Sequence, residues 1–247
     1  AKDGMVGGEG AGDGSSDDAG DLGFRSYQEG AVDRLLSLLK EGDVASEDGR
    51  QEAIKRITEL EQLRTFPVDP SFFGLCVSGE WDLAYCTSRV GTPDEALKLR
   101  KVTTALDAGA GKLVHRVQWE YSEPAGEGGD GGAWDTRGAF EVRCGYTLSE
   151  VPSVPTRMIV AVEEMRMTCE PVSRTPRDPQ RLIASLQGAL PREFFDPNEA
   201  LMDTTYMDPN VRVVCFLGMR FAGVRHVYVR ERCDELTSAL SEASAED

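Results

Sequence analysis

From Gly79 onward the apolar side chains recur at every second residue, and this two-residue period constrains the chain more than any other feature. Within Gly79–Ser88, Trp81, Leu83 and Tyr85 share one face. Leu113, His115, Val117, Trp119 and Tyr121 do the same opposite Arg116, Gln118 and Glu120. Successive side chains of an extended strand point to opposite sides, so such segments are half-buried strands. Val102–Asp107 leads through Ala108-Gly-Ala-Gly111 into Leu113–Tyr121, which reads as a hairpin. Trp134–Tyr146, Arg157–Cys169, Thr204–Met207, Val211–Leu217 and Val224–Arg230 continue the pattern. About eight antiparallel strands in one domain favour a closed or nearly closed barrel, because closure removes exposed edges. A barrel of about eight strands can hold one small apolar ligand.

Before Pro70 the period is helical. Ala31, Leu35, Leu38 and Leu39 follow Ser26 and Glu29, a capping-box pair, which predicts a helix from Ser26 to about Lys40. Ala53, Ile54, Ile57, Leu60 and Leu63 predict a second, stopped by Pro67 and Pro70. Arg174–Asn198 holds four prolines and one short apolar helix around Leu182–Leu190, and reads as a crossover or lid. The expected class is mainly β (α+β), an antiparallel barrel preceded by two α-helices. Its parts are an acidic Gly-rich tail (1–24), a two-helix segment (25–70), the barrel (71–232) and an acidic C-terminal tail (233–247).

The net charge of −16 in 247 residues repels polyphosphate, which excludes nucleic acid as a ligand class. Much of that charge sits at the ends. Residues 1–20 carry five acids against Lys2 and residues 231–247 carry six against Arg232, together −9. No stretch approaches the roughly 18 apolar residues of a membrane span, so any membrane association is expected to be peripheral. Six cysteines without CxxC spacing and only two histidines supply metal chemistry poorly. The cysteines read as small apolar side chains of a reducing compartment, with a regulatory disulfide as the alternative. Ala1-Lys2-Asp3 looks like a processed end, which suits a removed import peptide.

Two segments carry a resemblance. Gly79-Glu-Trp-Asp-Leu-Ala-Tyr-Cys-Thr-Ser88 resembles the first-strand signature of the plastid lipid-associated protein (fibrillin) family, and Ile57-Thr-Glu-Leu-Glu61 is similar to its lead-in helix. Thr205-Tyr-Met-Asp-Pro-Asn-Val-Arg212 looks like the family's C-terminal Thr-Tyr-x-Asp-x-x-x-Arg box, followed by the aromatic-aliphatic strand His226–Arg230. The resemblance covers about residues 50–230. It implies a lipocalin-like barrel in a plastid, at thylakoid membranes or plastoglobules, without catalysis or a covalent cofactor. The implied ligand is a lipid, quinone or carotenoid. The alternative is a peripheral structural subunit of a thylakoid or other plastid complex, held through the N-terminal tail. An enzyme acting on a hydrophobic substrate is the least favoured reading.

Trp81, Tyr85, Trp119, Phe140, Tyr206 and Arg212 are the candidate ligand-facing residues. Trp81 can instead plug the narrow end of the barrel, its indole N–H bonded to a backbone carbonyl. Trp119, Tyr121, Trp134 and Phe140 lie on apolar strand faces that either line a cavity or pack against the helices. Asp208 and Arg212 flank a turn and are placed to pair, while an Arg at a barrel mouth can also meet a lipid head group. Glu163 and Glu164 are adjacent on a strand, face opposite ways and cannot act as a dyad. His115, in line with Val117 and Trp119, reads as a satisfied core or cavity histidine rather than a general base. The sequence has no phosphate loop, nucleophile elbow or metal-ligand spacing.

Overall fold

The strands β1 (Gly79–Cys86), β2 (Leu97–Asp107), β3 (Lys112–Glu123), β4 (Trp134–Leu148), β5 (Arg157–Cys169), β6 (Leu201–Met207), β7 (Val211–Phe216) and β8 (Arg225–Val229) pair in sequence order. β8 returns antiparallel to β1, so the sheet closes into an eight-stranded barrel. The computed structural model describes residues 18–63, 69–88, 94–123, 134–149, 151, 154, 156–171, 173–194 and 201–230. Residues 1–17, the Gly126–Gly132 loop and the C-terminal tail lie outside them.

Helices α1 (Asp18–Glu41) and α2 (Glu47–Leu63) precede the barrel as expected, but α1 begins eight residues ahead of Ser26. A capping box stabilises by only about 1 kcal/mol, and no proline upstream prevents the helix from extending past it. Both helices pack outside the barrel. Ala31, Leu35, Ile57 and Leu60 bury against Tyr206, Val211, Val213 and Val227. Glu61 of α2 accepts from Arg225 Nε at 2.9 Å and from Thr205 Oγ1 at 2.8 Å, which ties α2 to β6 and β8.

Pro70 does not merely stop a helix; it opens one, α3 (Pro70–Val77). Asp69 is the N-cap, its carboxylate accepting from Phe72 N at 2.9 Å, and proline suits the first helical turn because its missing N–H has no intrahelical partner there. Phe73 and Val77 of α3 close one end of the barrel. Trp81 Nε1 donates to Val77 O at 2.9 Å, and the Arg230 guanidinium lies 4.0 Å over the indole. Trp81 thus occupies the plug position. Asp69→Ala should cost about 1 kcal/mol of stability in urea unfolding, with the slope unchanged.

At the other end, α4 (Pro179–Ala189) lays Leu182, Leu186 and Ala189 against Leu97, Val117, Trp119 and Tyr121. β2 starts at Leu97 rather than Val102, extending the surface on which α4 sits. A short 3-10 turn, Arg192–Phe194, follows α4 and carries Glu193 and Phe194 into the protein, where both are buried.

Candidate functional site

Strand β7 is buried on both faces. Val211 and Val213 pack under α1 and α2, while Val214 and Phe216 join the barrel's inner cluster. Alternation therefore turns Arg212 inward, where it is 1 % exposed. Its Nε donates to Thr204 Oγ1 at 3.1 Å, and one terminal nitrogen lies 3.2 Å from Met158 Sδ. Among the described residues no carboxylate pairs with it. Burial pushes its pKa down to about 10, with Tyr228 and Tyr146 opposing that fall and Arg230 adding to it. The group stays cationic at neutral pH.

The expected Asp208–Arg212 pair is absent. Asp208 instead closes its own turn, accepting from Asn210 N and Val211 N at 2.7 Å each and from the Tyr206 hydroxyl at 2.7 Å. The cause is strand parity, which leaves Tyr206 with α1 and α2 and directs Arg212 into the barrel. The Tyr146 hydroxyl is buried without a hydrogen-bond partner.

The interior polar groups continue toward α4. His115 is buried, with Nδ1 2.8 Å from Thr104 Oγ1 and its ring stacked 4.1 Å from Phe194. Burial, then the nearby charges of His226 and Arg212, push its pKa down to about 3. Its burial and its bond to Thr104 fit the expected core or cavity histidine. His226 is fully buried, its Nε2 3.1 Å from Glu193 Oε1 and its Nδ1 3.1 Å from the Tyr228 hydroxyl. Burial alone opposes its charged form, but Tyr228, Cys86 and Glu193 outweigh it and hold the pKa well above 6.5. Burial likewise works against the Glu193 carboxylate, and His226 reverses this, so that its pKa lies below the ordinary value.

The six candidate residues do not form one site. Trp81, Trp119 and Arg212 belong to the interior, and half-buried Phe140 packs against both the inner cluster and the α4 cluster. Tyr85 and Tyr206 lie outside, beneath α1 and α2. Two β-bulges produce this reversal. The register shifts between Leu83 and Tyr85 and again between Thr204 and Tyr206, so a face that alternation assigns to the interior changes sides. The first bulge also brings Cys86 opposite His226, a residue whose β1 parity alone points outward. The side chain of Trp134 lies outside the described residues.

Beneath α4 the Trp119 indole lies against Gly138, its cross-strand partner. A Cβ there would meet Thr168 O at 2.1 Å and Trp119 Cζ2 at 2.5 Å. Gly138→Ala should therefore destabilise by about 1–3 kcal/mol and shift tryptophan emission, measured by urea unfolding and fluorescence. The Trp119 Nε1 and Thr136 Oγ1 atoms are buried there without partners. On the outer face of β2–β5 a groove of about 510 Å³ carries Lys112, Arg116, Glu141, Arg143, Glu163 and Glu164; the last two, expected on opposite faces, share this one because a β-bulge opposite Arg143 and Cys144 inserts Glu163 into β5. Its charges pair among themselves, Lys112 with Glu163 at 2.5 Å and Arg116 with Glu141 at 2.7 Å, so it offers little free charge to an ion.

Spacing gave no sign of the Cys86, Glu193 and His226 grouping, whose members are far apart in sequence and meet only because the barrel closes and the 3-10 turn folds in. Compared with known proteins, the chain matches no family model, no curated protein and no solved structure.

Proposed function

We propose that this protein is a non-catalytic binding protein for an amphiphile with one anionic head group, the head at Arg212 and Tyr146 and the apolar chain along Phe140 and Trp119 beneath α4. The observation that carries this reading is the buried guanidinium of Arg212, whose protein partners are a hydroxyl and a thioether. Removing a charge from water costs several kcal/mol unless an opposite charge meets it. An anion from outside supplies that charge, and the unpartnered Tyr146 hydroxyl, close enough to Arg212 to affect its charge, adds a donor.

The resemblance to the plastid lipid-associated family implies a lipid, quinone or carotenoid at a thylakoid or plastoglobule surface. A buried cation narrows these to an acidic lipid, because a quinone or carotenoid brings no negative charge. Entry requires α4 and the 3-10 turn to part from the mouth, which fits a segment set between prolines. The N-terminal tail, on which the structural-subunit reading depends, lies outside the described residues.

The test is a tryptophan-fluorescence titration of the delipidated full chain with oleate and with its methyl ester. Hydrogen bonds to a charged group contribute about 1.5–3 kcal/mol, so oleate should bind about 10–150-fold more tightly than the ester. Equal affinity for both, or a flat titration with each, rules the proposal out.

A further inference from the structure

Cys86, Glu193 and His226 bring a thiol sulfur, a carboxylate oxygen and an imidazole nitrogen within 4.8 Å of one another. We infer that these three side chains form a zinc site with one open coordination position. The inference does not rest on the amphiphile reading, although the 3-10 turn that parts for amphiphile entry is the one that carries Glu193.

The geometry suits a tetrahedral ion. Zinc bonds of about 2.0–2.3 Å set neighbouring ligand atoms about 3.3–3.5 Å apart. Here Glu193 Oε1 is 3.1 Å from His226 Nε2 and 3.7 Å from Cys86 Sγ, so small side-chain adjustments admit the ion. Cys86 and His226 are held opposite each other on β1 and β8, a rigid pair of strands, and Glu193 is brought to them by the 3-10 turn.

Three further features point to a ligand. Glu193 is 5 % exposed, yet its Oε2 has no hydrogen-bond partner, which is costly for a buried carboxylate oxygen. His226 has its second nitrogen, Nδ1, 3.1 Å from the Tyr228 hydroxyl. That contact anchors the ring by its second nitrogen, as a ligating imidazole usually is, and leaves Nε2 facing Glu193 Oε1. The Ser88 backbone N–H donates to Cys86 Sγ at 3.3 Å and Ser88 Oγ lies 2.6 Å from the same sulfur, which holds the sulfur in position. Phe194 and Phe216 wall the imidazole at 5.2 and 4.7 Å, whereas Cys86 is only partly buried and leaves a path for the ion.

The experiment uses the full chain, stripped with chelator, under a non-thiol reductant and titrated with Co²⁺ and then Zn²⁺. One equivalent of Co²⁺ should give tetrahedral d–d bands and a thiolate-to-cobalt charge-transfer band, both displaced by Zn²⁺. Cys86→Ser should abolish the charge-transfer band, Cys215→Ser should leave it, and Glu193→Gln should weaken Zn²⁺ binding by about tenfold or more. Zn²⁺ should also protect Cys86 from alkylation in the unaltered chain, a readout that needs no variant to fold. A missing charge-transfer band at one equivalent, its survival in Cys86→Ser, or unaltered alkylation of Cys86 under saturating Zn²⁺ would each overturn the site.

Discussion

Arg212→Met is expected to melt above the parent chain while binding oleate about 10–150-fold more weakly. The two effects have one origin. In the parent, the guanidinium is held inside the barrel by Thr204 and Met158 with no carboxylate among the described residues to neutralise it. Replacing buried charge by an apolar group of similar volume is often neutral or stabilising, by about 1–4 kcal/mol. Methionine is unbranched and polarisable, so it can follow the path of the arginine stem. A gain of about 1–2 kcal/mol corresponds to about 2–8 °C in a chain of this size. Arg212→Lys should lie between the two in affinity, since it keeps the charge and loses the planar fork. An Arg212→Met chain that melts lower and binds oleate unchanged would make the residue a structural strut.

Mild acid should destabilise the fold through His115. Its pKa is about 3 when folded and about 6.5 when unfolded, so below pH 6.5 the unfolded chain takes up a proton that the folded chain refuses. Stability contributed by the neutral ring is complete above pH 6.5 and is lost as pH falls toward 3, about 5 kcal/mol in all and about 2 kcal/mol by pH 5. The charged groups facing the ring, His226 and Arg212, act in the same direction as burial. His226 behaves oppositely. Its raised pKa gives stability that is whole below 6.5 and declines as pH rises through the folded value. Urea unfolding at pH 7.5 and pH 5 isolates His115 when compared with His115→Gln, which retains a partner for Thr104. The parent should lose about 2 kcal/mol more than the variant between those two pH values. Equal losses would mean that the ring is protonated inside the barrel.

Most strands were legible because they bury one face, and a period of two survives in almost any such segment, while β7, buried on both, stood out as a short apolar run; β5 lies between Pro155 and Pro171 in the sequence. Closure followed from the number of short strands. α3 was hidden because Pro70 carries two meanings, and only Asp69 before it separates a helix start from a helix stop. Tyr85 and Tyr206 were misplaced for a different reason. A bulge inserts one residue and reverses the parity downstream, and neither Ala84 nor Thr205 carries a side chain that announces it. The reversal in β1 also brought Cys86 to His226, whereas Arg212 reaches the interior by the ordinary alternation of β7. Glu193 lay beyond sequence reasoning altogether, since it reaches the barrel mouth through a three-residue turn at the end of the α4 connection.

The central claim, that Arg212 receives an anionic head group inside the barrel, is tested most directly by NMR of oleate ¹³C-labelled at its carboxyl carbon and bound to the full chain. The account predicts a bound resonance distinct from free oleate and still ionised at pH values where the free acid protonates, with the protonation of any oleate bound to Arg212→Met returned at least to that of the free acid. A carboxyl signal that titrates as in free oleate, or one that persists unchanged with Arg212→Met, would contradict it.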